Sequence, residues 1–138
     1  SVNEKNVREG LRKEHGTDVM AKLAYERIVT YREQGENIIC DGLYSFAEYL
    51  FLKEKLGNDL VMLSVHAPRA LRYERLGNRE VRPLTPAQVD ERDFAEIKNI
   101  EKAGPIAIAD YHVINDGSVD ELHGKLDAIL GILGMKKK

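Results

Sequence analysis

The segment Ala109-Asp110-Tyr111-His112-Val113-Ile114-Asn115-Asp116-Gly117-Ser118 constrains the fold of this chain more than any other. It reads as a short buried strand, a polar turn, and then the start of a helix. Ser118, with Glu121 three residues on, makes a capping box: the hydroxyl takes an N–H of the first turn and the carboxylate reaches back to the cap. The helix that follows carries Val119, Leu122, Leu126, Ile129, Leu130 and Leu133 on one face, over 119–133. A strand that runs straight into a helix across a polar loop belongs in an α/β fold. In open sheets of that class, ligands bind outside the carboxyl ends of the strands.

The rest of the chain fits the same alternation. Thr17 opens a helix with Val19, Met20, Leu23, Ala24, Ile28 and Tyr31 at helical spacing, closed by Gly35. Residues 1–16 are polar, with weak helical character. Asn37-Ile38-Ile39-Cys40 is apolar, bounded by Gly35 and Asp41-Gly42, and reads as a buried strand. Ser45 and Glu48 cap a helix over 45–56. Leu60-Val61-Met62-Leu63-Ser64-Val65 is too short and too rich in β-formers for a helix, so it is expected to be a central parallel strand. Pro68 starts a helix through Leu71 and Leu76. Residues 77–105 are polar and form a lid-like helical insertion, with a helix from Thr85-Pro86-Ala87-Gln88 to about Lys102. The expected fold is α/β, a single domain over 1–138 with a parallel sheet of which three strands are visible.

The 138 residues carry a formal net charge of −2, with no broad basic surface for nucleic acid or an anionic membrane. No apolar run approaches membrane-spanning length. The lone Cys40 excludes a disulfide framework and fits the cytoplasm; it is expected in the core. Lys136-Lys137-Lys138 is expected to be a frayed end. His15, His66, His112 and His123 show no metal-ligand spacing, and His66 is expected to pack at a strand end.

Three constellations carry chemistry. Asp41-Gly42 closes a strand, where a carboxylate could orient Mg²⁺ through water or fix a substrate hydroxyl; a plain strand-end turn is the alternative. Arg69, Arg72, Arg75 and Arg79 lie on and beyond one helix, and the last three share a face. Such a face suits a polyphosphate, or it is simply solvated. Asn115-Asp116-Gly117 is either an ordinary turn or a loop whose amides and carbonyls read the edge of a base.

These segments resemble the P-loop nucleotide kinases of the dephospho-CoA kinase and adenylate-kinase-related type. The end of the chain is similar to their "AD-x-x-I-x-NDGS-x-EEL" segment. Ile39 to Ser45 resembles their "DG-x-x-S" segment, with Tyr44 where many members have Arg. Leu63 to Arg79 resembles "V-x-x-DAP-x-x-x-R-x-ERL-x-x-R", with His66 where the family often has Asp. The resemblance covers about residues 4–133. It implies a three-layer parallel sheet of the nucleoside-monophosphate-kinase type, missing its first strands. It implies transfer of the γ-phosphoryl of ATP, with Mg²⁺, to a nucleotide-like acceptor. By position it makes Asp41, Arg75 and Arg79 catalytic and Arg82 and Arg92 lid residues. Asn115, Asp116 and Gly117 would hold the nucleotide, and Gly42 and Ser45 the acceptor. ATP or ADP and the acceptor are then the partners, with no nucleic acid and no membrane.

One element of such kinases is not in this chain. No G-x-x-x-x-G-K-[ST] phosphate loop occurs; Gly124-Lys125 is followed by Leu126 and lies mid-helix. The chain is therefore expected to be a truncated piece, inactive by itself. A non-catalytic nucleotide-binding module and a homodimeric interaction domain on the same scaffold stand as alternatives.

Overall fold

The computed structural model describes residues 2–135, so the Lys136-Lys137-Lys138 end lies outside the described residues. The chain forms two compact units. The first holds residues 1–61 and 96–107, the second 62–95 and 108–138.

The first unit is helical: α1 (Val2–His15), α2 (Val19–Glu33) and α3 (Phe46–Leu56), which runs into a short 3₁₀ turn over Gly57–Asp59. Its core is Ala21 and Ile28 of α2 against Leu52 of α3, with Tyr25, Ile38, Leu43, Phe51 and Leu60 packed around them. The Tyr25 and Phe51 rings meet edge to face at 5.7 Å. The cap expected at Ser45 forms. Its Oγ accepts from the Glu48 N–H at 3.0 Å and donates to the Thr17 carbonyl at 2.7 Å, which ties α3 to the start of α2. The Glu48 carboxylate does not close the box. It is buried, 3.6 Å from the Arg12 guanidinium of α1, and burial pushes its pKa above the ordinary carboxylate value.

The second unit contains the sheet. Strands β1 (Leu63–His66) and β2 (Tyr111–Ile114) pair in parallel, Leu63 opposite Tyr111 and His66 opposite Ile114. The ladder is extended at both ends: Tyr111 N–H donates to the Met62 carbonyl at 3.1 Å and Asn115 N–H to the His66 carbonyl at 2.6 Å. The Met62 N–H is taken by the Asp110 carboxylate at 2.8 Å. Helix α4 (Arg69–Gly77) follows β1, and α7 (Val119–Ile132) follows β2. Helix α5 (Pro86–Ile100) is capped as its sequence indicates, with Thr85 and Gln88 exchanging backbone-to-side-chain bonds of 2.9 and 3.3 Å. The short helix α6 (Ala103–Ala107) that comes after it in the chain belongs to the first unit.

The expected three-layer sheet of the nucleoside-monophosphate-kinase type is corrected by this arrangement. Among the described residues the sheet has two strands, β1 and β2, in a chain that is mostly helix. The strand expected at Asn37–Cys40 does not form: residues 36–45 have no regular structure. A strand needs a neighbour to take its backbone N–H and C=O groups, and the two strands among the described residues belong to the other unit and pair with each other. Ile38 instead packs on the α2–α3 core, while Ile39 is 76% exposed. Cys40 is exposed rather than in the core.

Ser45→Ala removes an N-cap and leaves the Thr17 carbonyl without its donor, for an expected loss of about 2–4 kcal/mol. Urea denaturation measures it; a loss below about 0.5 kcal/mol would show that Ser45 does not hold α2 and α3 together.

Candidate functional site

The turn after β2 is the most heavily constrained loop of the second unit. Asn115 N–H extends the ladder to His66, which sets the loop at the carboxyl ends of two parallel strands. Arg75, near the end of α4, reaches it with both terminal nitrogens. Nη1 donates to the Asn115 carbonyl at 2.7 Å and Nη2 to the Gly117 carbonyl at 3.2 Å. Lys125, from the middle of α7, donates to the Ile114 carbonyl at 2.7 Å and lies 3.6 Å from the Asp116 carboxylate. The expected capping box forms in full: Ser118 Oγ accepts from Glu121 N–H at 3.1 Å, and Glu121 Oε2 accepts from Ser118 N–H at 2.6 Å. Glycine at 117 leaves room for that carboxylate: a Cβ there would come within 1.7 Å of Glu121 Oε2, so the Glu121 side chain would have to shift.

Beneath the loop, Ser64, His66 and His112 share one face of the sheet, as strand alternation and the parallel register demand. His66 Nε2 lies 2.8 Å from Ser64 Oγ and 3.1 Å from His112 Nδ1. Both contacts fall on one nitrogen. A relay of the Ser–His–acid kind needs the third group on the other ring nitrogen, so the cluster is a local hydrogen-bonded pairing and not a nucleophile.

Helices α4 and α5 are joined by ionic contacts. Arg72 Nη1 lies 2.8 Å from Asp93 Oδ2, and Arg69 and Tyr73 both reach the Asp90 carboxylate. Hydrogen bonds from Arg69 and then Tyr73 hold the Asp90 carboxyl below the ordinary aspartate range, and the bond to Asp90 raises the Tyr73 phenol. Apolar burial on α5 is thin: Val89 is 1% exposed, but Phe94 is 57% exposed.

The structure thus brings Arg75 together with Asn115, Asp116 and Gly117. Arg72, expected on the same cationic face, is engaged with Asp93. Arg79 lies exposed just beyond α4, Arg82 in the turn before α5 with a left-handed φ of 54°, and Arg92 exposed on α5. Asp41, Gly42 and Ser45 belong to the first unit. Asp41 is exposed; Gly42 has φ +92°, where a side chain is strained, and its Cα faces the Tyr44 ring. Ser45 is 0% exposed, its hydroxyl committed to Glu48 and Thr17. Among the described residues there is no group of three or more His, Cys, Asp or Glu that could hold a metal ion. No helix among them is long and apolar enough to cross a membrane. Two participants were not marked by sequence reasoning. Lys125 was visible only as a cation two helical turns past the cap, and the His66–His112 contact depends on strand register.

No family model matches the chain. It is similar to proteins named UPF0200 protein in archaea. It is 34% identical over 127 residues to that of Thermococcus gammatolerans, which covers 87% of this chain and 64% of that protein. It is 29% identical over 131 residues to that of Thermococcus sibiricus, covering 93% and 68%. It is 34% identical over 122 residues to that of Sulfurisphaera tokodaii, covering 87% and 65%. The chain therefore spans about two-thirds of the length of these relatives.

The Asp90 contacts set a pH dependence. A carboxyl held below its unfolded value contributes stability that is fully present above that value, near 3.8, and is lost as pH falls through the lower folded value. Amide exchange over 86–95 is expected to accelerate relative to that of β1 below about pH 4 and in high salt, and Asp90→Asn to remove the acid response. Exchange over 86–95 as slow as in β1 under both conditions would contradict an α5 held mainly by charge.

Proposed function

We propose that this chain is the nucleotide-reading portion of an ATP-dependent phosphotransferase, one that passes the γ-phosphoryl of ATP to a nucleotide-like acceptor in the cytoplasm. The observation that carries the reading is the loop Asn115–Gly117, at the carboxyl ends of two parallel strands and fastened by Arg75, Lys125 and Glu121. Open α/β sheets bind ligands at that end, and the Asp116 and Gly117 amides and the Asp116 carbonyl, which none of those attachments uses, are the groups that would meet the edge of a base. Arg79, exposed beyond the end of α4, is the cation for the triphosphate: its charge is permanent and its forked donors match phosphate oxygens. Arg82 and Arg92 supply further charge from the polar segment around α5.

The chemistry asked of these residues is positioning and neutralisation, because phosphoryl transfer leaves little covalent work to the protein. A phosphate loop normally cradles the β- and γ-phosphates, and this sequence contains none. Binding is thus expected without turnover.

Calorimetric titration with ATP, ADP, AMP and adenosine tests the reading. The expected outcome is measurable affinity for all four and no ATP consumption by this chain. Arg79→Ala should weaken ATP by about tenfold and adenosine hardly at all, as expected for one charged contact to phosphate. Absence of affinity for any of the four would reject the proposal. Sustained ATP-dependent phosphorylation by this chain would reject its division of labour.

A further inference from the structure

The cation nearest the candidate loop is turned toward the protein. Arg75 spends the two terminal nitrogens of its guanidinium on two backbone carbonyls of one loop, Asn115 and Gly117. The residues lie 40 and 42 positions apart in sequence, so this contact exists only because β1 and β2 pair. The other attachments of the loop come from different places. His66 holds its first N–H, Lys125 holds the carbonyl before it, and Glu121 holds the N–H after it. A turn whose sole task is to join a strand to a helix is satisfied by the capping box and the ladder bond. A guanidinium brought in from a third element adds order to the loop beyond what that connection needs. A loop that must keep a fixed set of donors and acceptors for a ligand does gain, because ordering it in advance removes that cost from binding.

We infer that Arg75 is a positioning residue: it fixes the Asn115–Gly117 loop in its base-reading geometry, and it is not a contact to the nucleotide's phosphates. The inference rests on the nucleotide-binding reading above and departs from the role that the resemblance implies for Arg75. The planar fork is what matters. Two carbonyls on residues separated by one position are bridged by two parallel N–H groups of one rigid plane, which a lysine ammonium cannot reproduce. Arg75 and Arg79 then divide the work. The first acts on the loop, whatever the ligand; the second acts on charge, in proportion to the phosphates present.

Two readouts separate this from a phosphate contact. In the first, Arg75→Ala and Arg75→Lys are compared with wild type for binding of ATP and of adenosine. A loop clamp predicts that alanine weakens both ligands by the same factor, about tenfold, and that lysine restores neither. A phosphate contact predicts a loss for ATP, little for adenosine, and substantial rescue by lysine; that pattern would overturn the inference.

The second readout needs no ligand. Amide exchange at Asn115 and Ser118, the N–H groups of the turn held by His66 and Glu121, is measured in the free protein, with the amides of β1 as internal reference. The clamp predicts that Arg75→Ala speeds exchange in the loop and leaves β1 unchanged. Unaltered loop exchange, or equal acceleration in loop and strand, would overturn it. If the wild-type chain binds neither ATP nor adenosine, the nucleotide reading fails and the exchange measurement alone decides whether Arg75 holds the loop.

Discussion

The parallel pairing of Leu63–His66 with Tyr111–Ile114 is the contact on which the second unit depends. It joins residues 48 positions apart, with the Asp110 carboxylate on Met62 N–H sealing one end and Asn115 N–H on the His66 carbonyl sealing the other. Closing so long a loop costs conformational entropy before any contact repays it. Two four-residue strands supply few bonds for that purpose, so the side-chain contacts around them carry weight. Val113 is buried, yet Val65 is 51% exposed on the same face. The pair is stabilised as much by what its ends grip as by what its faces bury.

That explains why so many attachments converge on one turn. Once the ladder ends at Asn115, the chain must reverse into α7 within three residues, and the Ser118–Glu121 box fixes the entry. Arg75 and Lys125 are then placed by α4 and α7 to hold three consecutive or near-consecutive carbonyls. Glycine at 117 suits that box: the carboxylate that caps the helix lies where a Cβ would go. A turn secured from its flanks in this way has its backbone held by four side chains or strand partners.

What could be read from the sequence follows the range of the forces involved. The caps at Ser45, Thr85 and Ser118 are local chemistry, settled within three residues, and these three form, whereas the one expected at Thr17 does not: α2 starts after Asp18 with no side-chain cap bond. The helices at 19–33, 46–56 and 119–132 follow their apolar spacing. Strand pairing is not local. Tyr111–Ile114 forms where its pattern indicates because β1 receives it; Asn37–Cys40 has a similar composition but finds no partner in its unit and stays irregular. The Ser45 hydroxyl, legible as a cap, could not be seen to close on Thr17. The partners of each arginine were equally beyond the pattern. Helical spacing puts Arg72 and Arg75 on one face, but only tertiary structure decides that one meets Asp93 and the other the backbone of a loop.

The central claim is that Asn115–Gly117 is a preformed loop that receives a nucleotide. Mapping the backbone amide resonances of the labelled chain during titration with AMP and ATP tests it most directly. The account predicts the largest shifts at Asn115, Asp116 and Gly117 with both nucleotides, and added shifts around Arg79 with ATP. Saturation by either nucleotide with those three amides unmoved, or no shift anywhere at millimolar nucleotide, would contradict it.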